Sequence, residues 1–219
     1  MDEAILKNIG RALAGGDRAG TAKLTQEALD KGIGVKTILE DGLIFSMNAI
    51  GEKFKANEIF IPEVLIAAKA MHAGIAVLEP HFISCGIKPA GKVIIGTVKG
   101  DLHDIGKNIV SMMLKGACFE VVDLGIDVPP GKFAEIVQNK GADIIAMSSL
   151  LTTSMGAMKD TIKLLKDSGI RDKVKIIVGG APVTQSFADS IGADGYAKDA
   201  ATAVDKAKEL VEKLLSYKL

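Results

Sequence analysis

Cysteine is scarce in this chain of 219 residues, which contains only Cys85 and Cys118. The two lie far apart and form no C-x-x-C pair, so the sequence argues against both a disulfide framework and a thiolate zinc site. An excess of either charge is also lacking, because Lys and Arg together number 27 and Asp and Glu together also number 27. We therefore expect neither the basic surface of a nucleic-acid binder nor a polybasic segment for anionic membranes.

Long apolar runs are lacking as well. Lys69 and His72 interrupt the longest candidate, so it is expected to fall short of the ~18 apolar residues that a membrane span needs. The acidic start Met1-Asp2-Glu3 does not resemble the positively charged beginning of a secretory signal. We expect a cytoplasmic protein with no membrane partner and no nucleic-acid partner.

The residues that are present suit a globular protein of one or two domains. Hydrophobic residues make up 48% of the chain and charged residues 25%, which is enough for a core and an ordinary soluble surface. The sequence pattern changes near residue 90, where helical periodicity gives way to short aliphatic runs. We predict a first domain at residues 1–83, a linker at 84–91 and a second domain at 92–219.

The first domain is predicted to be a four-helix bundle. Apolar residues recur at helical spacing in four stretches, with breaks at Gly15-Gly16 and at Gly32. Asp17 suits the N-cap of the second helix, and Pro62 suits the first turn of the fourth. The third helix is predicted to run from Ile38 towards residue 54.

Short aliphatic runs alternate with amphipathic stretches in the second domain. The predicted strands are Val93–Val98, Glu120–Leu124, Ile144–Met147, Lys175–Val178 and Gly195–Ala197. The predicted helices are Gly106–Ala117, Gly131–Lys140, Met155–Asp167, Gln185–Ile191 and Asp199–Leu215. This alternation predicts an α/β fold with a doubly wound, parallel five-stranded sheet. In the flavodoxin-like strand order 2-1-3-4-5, ligands bind between the loops that follow the first and third strands.

Those two loops, residues 99–108 and 148–154, carry most of the polar chemistry of the second domain. Several familiar sites are excluded by spacing. Five residues separate Gly100 from Gly106, where a P-loop needs four, and the fingerprint GxGxxG does not follow the first strand. A phosphate-accepting receiver domain would need Asp at the end of the third strand, where Ser148 stands.

A metal site accounts for more of these residues. His103 carries an imidazole that can bind a metal, and Asp101 can accept a hydrogen bond from the other ring nitrogen, which fixes the tautomer of a ligating histidine. Gly106 lets the backbone come close to a bulky ligand. The residues alone thus predict a site for a metal or an anionic cofactor, and a solvated histidine is the alternative.

The pattern Asp101-x-His103-x-x-Gly106, followed by Ser148-x-Leu150 and Gly179-Gly180, resembles the signature of cobalamin-binding domains. It is similar to the branch shared by the corrinoid module of methionine synthase and the small corrinoid proteins of methanogen and acetogen methyltransferase systems. Residues 54–62 resemble the helical cap segment of that branch, so the similarity spans almost the whole chain.

This resemblance implies a corrinoid that is bound base-off, with its tail in the α/β domain and His103 as the lower axial ligand of cobalt. Asp101 would be the hydrogen-bond partner of His103, and Ser154 the third member of that set, with Thr152 or Thr153 as substitutes. The other implied cofactor contacts in the α/β domain are Leu102, Asp104, Ile105, Gly106, Ser148, Leu150, Thr152, Gly179 and Gly180. The helical cap would cover the upper face of the corrin through Phe54, Ile61 and Val64.

The resemblance also implies a methyl carrier that cycles between Co(I) and methyl-Co(III). A donor-specific methyltransferase would load the methyl group. A second methyltransferase would pass it to tetrahydrofolate, tetrahydromethanopterin or a thiol, and a reductive activation protein would restore Co(I) after accidental oxidation. The chain would be the carrier subunit of a cobalamin-dependent methyltransferase system in anaerobic one-carbon metabolism, and it would not be catalytic alone.

Other cobalamin proteins share parts of this pattern. The small subunit of a mutase shares the loops but lacks the helical cap. A B12-binding regulator or sensor shares both domains and is the alternative function, although it usually carries an added DNA-binding or signalling segment. Residues 199–219 leave room for only one further helix. No residue specifies the methyl donor.

Overall fold

The computed structural model describes residues 2–82 and 84–216 and divides the chain into two compact units. The first unit comprises the residues up to Pro89 together with Lys115–Cys118. The second comprises Ala90–Leu114 and the residues from Phe119 onward. The predicted domain ends at positions 1, 83 and 219 lie outside the described residues.

The first unit is helical, as predicted. Its helices are α1 (Asp2–Ala14), α2 (Arg18–Asp30), α3 (Val35–Thr37), α4 (Phe45–Lys55) and α5 (Ile61–Leu78), followed by a 3-10 turn at Glu79–His81. Asp17 caps α2, because its Oδ1 atom accepts the backbone N–H of Gly20 at 2.8 Å. Pro62 lies in the first turn of α5, where a missing N–H costs no helical hydrogen bond.

The third helical stretch differs from its prediction. A π-helix at Ile38–Ile44 joins α3 to α4 without a break, so the stretch begins at Val35 instead of Ile38. Gly42 of the π-helix approaches α1 closely, since a Cβ atom built there would lie 3.3 Å from Leu6 Cδ2. Apolar periodicity could not predict the π-helix, because α and π turns both bring apolar residues to one face.

One helical stretch of the described residues, Ile61–His81, has the length and apolar composition needed to cross a membrane, with a mean hydropathy of 1.5. The expectation that Lys69 and His72 would prevent this was wrong, because the surrounding aliphatic residues outweigh them. Buried helices in protein cores have the same composition. In the first unit α5 packs against α2, and its buried residues are Val64, Ala67, Ala68, Ala70, Met71, Gly74 and Leu78.

The second unit confirms the predicted α/β fold and its flavodoxin-like strand order. Five parallel strands are arranged in the order β2-β1-β3-β4-β5. The strands are β1 (Lys92–Thr97), β2 (Glu120–Asp123), β3 (Ile144–Ser148), β4 (Lys175–Gly179) and β5 (Gly195–Ala197). The helices are α6 (Ile105–Gly116), α7 (Pro130–Lys140), α8 (Gly156–Asp167), α9 (Gln185–Ile191) and α10 (Ala200–Ser216).

The register of the sheet brings the ends of three strands together. Thr97 of β1 pairs with Ser148 of β3, and Ser148 pairs with Gly179 of β4. Aliphatic residues of these strands, among them Ile94 and Ile145, belong to one buried core with α7, α8 and α9. Because the core fixes the strands, the loops that follow β1, β3 and β4 leave the sheet side by side at one edge.

Candidate functional site

Asp101 lies in the loop after β1, and none of its surface is exposed to solvent. Its Oδ1 atom accepts the backbone N–H of His103 at 3.0 Å and lies 2.7 Å from His103 Nδ1. Its Oδ2 atom accepts the backbone N–H groups of Leu150 at 2.6 Å and Leu151 at 3.1 Å, and the hydroxyl of Ser154 at 3.0 Å. Groups from the β1 and β3 loops thus surround one buried carboxylate.

These hydrogen bonds keep Asp101 ionised. Burial by itself raises the pKa of a carboxyl group, because it disfavours the charged form. At Asp101 this effect is outweighed by hydrogen bonds from the backbone and side chain of His103, the backbone of Leu150 and the hydroxyl of Ser154, so the pKa of Asp101 lies well below its ordinary value. A carboxylate that stays charged while buried is a strong acceptor for the imidazole beside it.

The two ring nitrogens of His103 have different roles, because Nδ1 contacts Asp101 and Nε2 does not take part in that contact. An ionised carboxylate only accepts hydrogen bonds, so Nδ1 carries the proton that it shares with Asp101, and Nε2 is the ring nitrogen that remains to bind a metal. The side chain of His103 is 52% exposed, so this face of the imidazole is accessible from solvent. The buried Thr97 hydroxyl donates to the backbone carbonyl of His103 at 2.8 Å, which ties the loop to the end of β1.

Two buried serines complete the cluster from the β3 loop. Ser149 Oγ lies 2.7 Å from Ser154 Oγ and 3.4 Å from Asp101 Oδ2. Since Ser154 donates to Asp101, Ser149 can donate to Ser154. The predicted substitutes Thr152 and Thr153 are exposed, whereas Ser154 is buried and makes the contact with Asp101.

The glycines after β4 allow a close approach between two loops. Gly180 has a φ of +126°, and a Cβ atom built on it would lie 1.8 Å from the backbone oxygen of Ser149. A Cβ on Gly179 would lie 2.8 Å from the carbonyl oxygen of Ala197. Only glycine fits at position 180, because a side chain there would collide with the backbone of the β3 loop. Ser148, whose backbone oxygen accepts the N–H of Val98 at 3.0 Å, is partly buried at the same edge.

Large apolar side chains are exposed around His103. They lie in the loops at this edge of the sheet and at the start of α6, and the exposed fractions are 68% for Leu102, 75% for Ile105, 43% for Ile126, 45% for Leu150 and 40% for Leu151. A Cβ atom built on Gly106 would meet nothing within 4 Å, so space is open beside the start of α6. Asp104 is exposed and accepts a hydrogen bond from Asn108 Nδ2 at 3.0 Å. Clustered exposed apolar residues are typical of a ligand or partner site.

This arrangement fits a metal that brings most of its own ligands. Within residues 2–82 and 84–216, no group of three or more His, Cys, Asp or Glu residues could hold a metal ion. A single imidazole with a carboxylate behind it can supply one axial ligand. A corrin ring would supply the other nitrogen ligands of cobalt itself, and the exposed apolar side chains beside His103 would suit the face of such a ring. The residues present therefore fit a corrinoid.

The three predicted cap residues differ in exposure within the helical unit. Ile61 is 42% exposed, Phe54 is partly buried and Val64 has no exposed surface. Phe60 is 65% exposed, and its backbone N–H donates to Glu63 Oε2 at 3.1 Å, which fixes the start of α5. Ile61 and Phe54 thus present apolar surface, whereas Val64 is part of the core.

Sequence reasoning did not assign a role to several residues of this site. Ser149 was passed over, although it belongs to the hydroxyl-rich β3 loop. Thr97 was predicted only as part of the first strand, and no role was predicted for the buried Lys107, which pairs with Asp123 at the end of β2. Polar residues at the carboxyl ends of aliphatic strands were the available signal, but their partners depend on the fold.

Comparison with known proteins gives matches over both units. The B12 binding domain family matches residues 91–205, and a second family described as a B12 binding domain matches residues 5–79. A corrinoid protein of Desulfitobacterium hafniense is 40% identical over 216 residues, which cover 97% of this chain and 100% of that protein. A dimethylamine corrinoid protein of Methanosarcina barkeri is 51% identical over 177 residues, which cover 80% of this chain and 82% of that protein.

A solved structure of a cobalamin-dependent system also matches this chain. The crystal structure of a methanol:cobalamin methyltransferase complex from Methanosarcina barkeri contains a chain that matches with a TM-score of 0.84 and 30% identity. The match covers 95% of this chain and 80% of that chain. Similarity in sequence and similarity in fold therefore lead to the same group of proteins.

Proposed function

Because this chain belongs to the corrinoid proteins built from B12 binding domains, we propose that it binds a corrinoid and carries a methyl group between two methyltransferases. When bound, the corrinoid supplies the reactive chemistry, since its cobalt accepts and donates the methyl group as it cycles between Co(I) and methyl-Co(III). The polypeptide holds the cofactor, orients it and keeps water away from it.

The observation that carries this proposal is the contact between His103 and Asp101. Nδ1 of His103 lies 2.7 Å from a carboxylate that is buried and held ionised, which leaves Nε2 as the donor atom for cobalt. His103 would thus be the lower axial ligand, and the corrinoid's own base would be displaced into the base-off form.

The glycines and the β3 loop would receive the tail of the corrinoid. Ser148, Leu150 and Thr152 lie on the strand end and loop beside the Asp101 cluster, and Gly179 and Gly180 bring the β4 loop against them. Leu102, Asp104, Ile105 and Gly106 would contact the cofactor around His103. The open space at Gly106 and the exposed apolar surface of Leu102, Ile105 and Leu150 support this assignment.

The helical unit would shelter the upper face of the corrin. Ile61 and Phe54 have apolar surface available for that purpose, and Val64 would support them from within the core. Apolar cover excludes water, which protects a reactive centre from side reactions. The linker predicted at residues 84–91 would let the helical unit move away when a methyltransferase needs access.

The partners follow from this function. A donor-specific methyltransferase would load the carrier, and an acceptor methyltransferase would transfer the methyl group to tetrahydrofolate, tetrahydromethanopterin or a thiol. A reductive activation protein would repair oxidised cofactor. Relatives named for dimethylamine and methanol provide the first donors to test.

Anaerobic reconstitution of the cofactor-free protein with methylcobalamin tests the proposal. We expect one corrinoid per chain and an ultraviolet–visible spectrum of base-off cofactor with a histidine ligand. His103→Ala should change that spectrum. His81→Ala is the matched control, because His81 is an exposed histidine of the helical unit, and it should leave the spectrum unchanged. A wild-type protein that emerges colourless, or a spectrum that is the same with and without His103, would overturn the proposal.

A further inference from the structure

Lys107 is a buried lysine in the first turn of α6, and its side chain is only 3% exposed. Its ammonium group forms an ion pair with Asp123 Oδ2 at the end of β2, and it donates to Asn108 Oδ1 at 2.6 Å. Both its burial and its position are unfavourable. Removing an ammonium group from water costs several kcal/mol, and a positive charge at a helix N-terminus opposes the helix dipole.

Stability alone does not account for such a pair. Replacing a buried ion pair by apolar residues of similar size is often neutral or stabilising. A buried polar contact does, however, fix the relative position of the elements that it joins more closely than apolar packing does. Two sets of hydrogen bonds lead from Lys107 to other parts of the site.

One set of bonds leads from Lys107 through β2 to the backbone of His103. Asp123 Oδ1 accepts the N–H of Gly125 at 2.9 Å, and the carbonyl of Gly125 accepts the N–H of Thr97 at 3.0 Å. The hydroxyl of Thr97 then donates to the carbonyl of His103 at 2.8 Å. The loop is therefore tied to β2 at the backbone carbonyl of His103.

A second set of bonds leads through α6. Asn108, which accepts a hydrogen bond from Lys107, donates from Nδ2 to Asp104 Oδ2 at 3.0 Å. The backbone N–H of Asn108 also donates to the carbonyl of Asp104 at 2.8 Å. Asp104 directly follows His103, so the loop is tied to α6 at the residue after the imidazole.

We propose that Lys107 is a positioning residue for the cobalt ligand. Through Asp123 and Asn108 it anchors the backbone at the carbonyl of His103 and at the next residue, Asp104, which would hold Nε2 where it can bind the metal. This inference rests on the proposed function, since it assigns Lys107 a role toward a corrinoid that His103 ligates. Lys107 itself touches neither the cofactor nor the imidazole in this scheme.

Two variants and one control test this role. Lys107→Met removes the charge and keeps most of the apolar stem. The double variant K107M/D123N removes the pair without leaving a buried unpaired charge, so it provides a folded protein if K107M does not fold. Lys92→Met is the matched control, because the ion pair of Lys92 with Glu120 at 2.8 Å also reaches β2 but lies at its other end.

Three measurements on each protein are needed. They are the free energy of unfolding without cofactor, the 15N chemical shifts of the His103 imidazole without cofactor, and the affinity and spectrum with methylcobalamin. We expect K107M/D123N to shift the imidazole signals and to bind methylcobalamin about 10- to 100-fold more weakly, as for other residues that orient a metal ligand. The fraction of cofactor with the histidine-ligated spectrum should fall, and K92M should match the wild type.

The role would be overturned if folded K107M/D123N keeps both the imidazole signals and the cobalamin affinity of the wild type, or if K92M weakens binding equally. Failure of the proposed function is a different result. In that case the wild-type spectrum would not depend on His103, while the imidazole signals of the cofactor-free protein would still report whether Lys107 positions the ring.

Discussion

Ser149 Oγ and Ser154 Oγ lie 2.7 Å apart in the loop after β3, and both hydroxyl groups face Oδ2 of Asp101. Together with the backbone N–H groups of Leu150 and Leu151, they surround one oxygen of a carboxylate that has no exposed surface. The other oxygen is left for His103. The β3 loop therefore keeps Asp101 charged, and Asp101 keeps the proton of His103 on Nδ1.

Removing one of these donors should destabilise the protein. Ser154→Ala takes a hydrogen bond from a buried charged acceptor, and we expect the free energy of unfolding to fall by about 1.5–3 kcal/mol. Urea unfolding of the cofactor-free protein measures this change. Thr153→Ala is the control, because Thr153 is exposed on the same loop, and its effect should stay within about 0.5 kcal/mol. Equal losses in the two variants would show that Asp101 does not depend on the Ser154 hydroxyl.

The stabilising effect of Asp101 should depend on pH. The folded protein lowers the pKa of Asp101, so the unfolded chain binds a proton more readily than the folded one. The contribution of ionised Asp101 to the free energy of unfolding is fully present above the ordinary carboxyl pKa of about 4. It is lost as the pH falls from there toward the lowered pKa of Asp101. Asp101→Asn should thus be less stable than the wild type by at least about 2 kcal/mol at neutral pH.

Urea unfolding at several pH values checks this expectation. The difference between the wild type and Asp101→Asn should narrow below about pH 4, since the wild type loses the benefit of the charged carboxylate. A difference that stays constant from neutral to acidic pH would mean that the ionised form of Asp101 is not what the loops stabilise.

The sequence was sufficient to predict much of this architecture. Aliphatic runs in alternation with amphipathic stretches predicted each strand to within about two residues, because strands buried on both faces need continuous aliphatic side chains. Parallel strands end at one edge, so polar residues after β1 and β3 were expected to meet there. The structure does bring Asp101, His103 and Ser154 together.

The sequence was not sufficient to predict the supporting contacts. The ion pair of Lys107 with Asp123 joins a helix to a strand 16 positions away, and its existence depends on how α6 packs. Ser149 faces the cluster because of the exact direction of the chain after β3, and Gly180 in the loop after β4 leaves room for the Ser149 backbone. Local sequence patterns predict neither the ion pair nor the direction of Ser149, because both depend on tertiary packing.

Gly180 should tolerate no side chain. In Gly180→Ala the new Cβ would lie 1.8 Å from the Ser149 backbone oxygen at a φ that L-residues rarely adopt. We expect a loss of at least about 3 kcal/mol, because backbone strain and a backbone clash add. Thermal unfolding of the cofactor-free protein measures this loss.

Gly106→Ala is the matched control for that variant. A Cβ at position 106 meets nothing within 4 Å, and alanine is a better helix former than glycine by about 1 kcal/mol. The cofactor-free variant should therefore be as stable as the wild type or more so. If Gly106 lets the corrinoid approach the backbone, the same variant should bind methylcobalamin more weakly. Wild-type stability in Gly180→Ala would contradict the close contact between the two loops.

His72 should weaken the fold as the pH falls. It is half-buried in α5, and burial, followed by the positive charge of Lys115, lowers the pKa of His72 below its ordinary value. The folded state therefore takes up a proton less readily than the unfolded chain, so stability is present above about pH 6.5 and is lost as the pH falls toward the lowered pKa. Within that window the loss stays below ~1.4 kcal/mol per pH unit, which is the limit for one proton taken up on unfolding.

His72→Gln removes the titrating group and keeps a polar side chain of similar size. Between pH 7.5 and 5.5, its free energy of unfolding should fall less than that of the wild type, as urea unfolding at the two pH values can show. His81→Gln is the comparison, because His81 is exposed at the end of the same helical stretch, and its pH dependence should follow the wild type. The folded state resists protonation of His72 because this imidazole is buried. If the free energy of unfolding falls equally with pH in the wild type and in His72→Gln, the acid sensitivity of the protein does not come from His72.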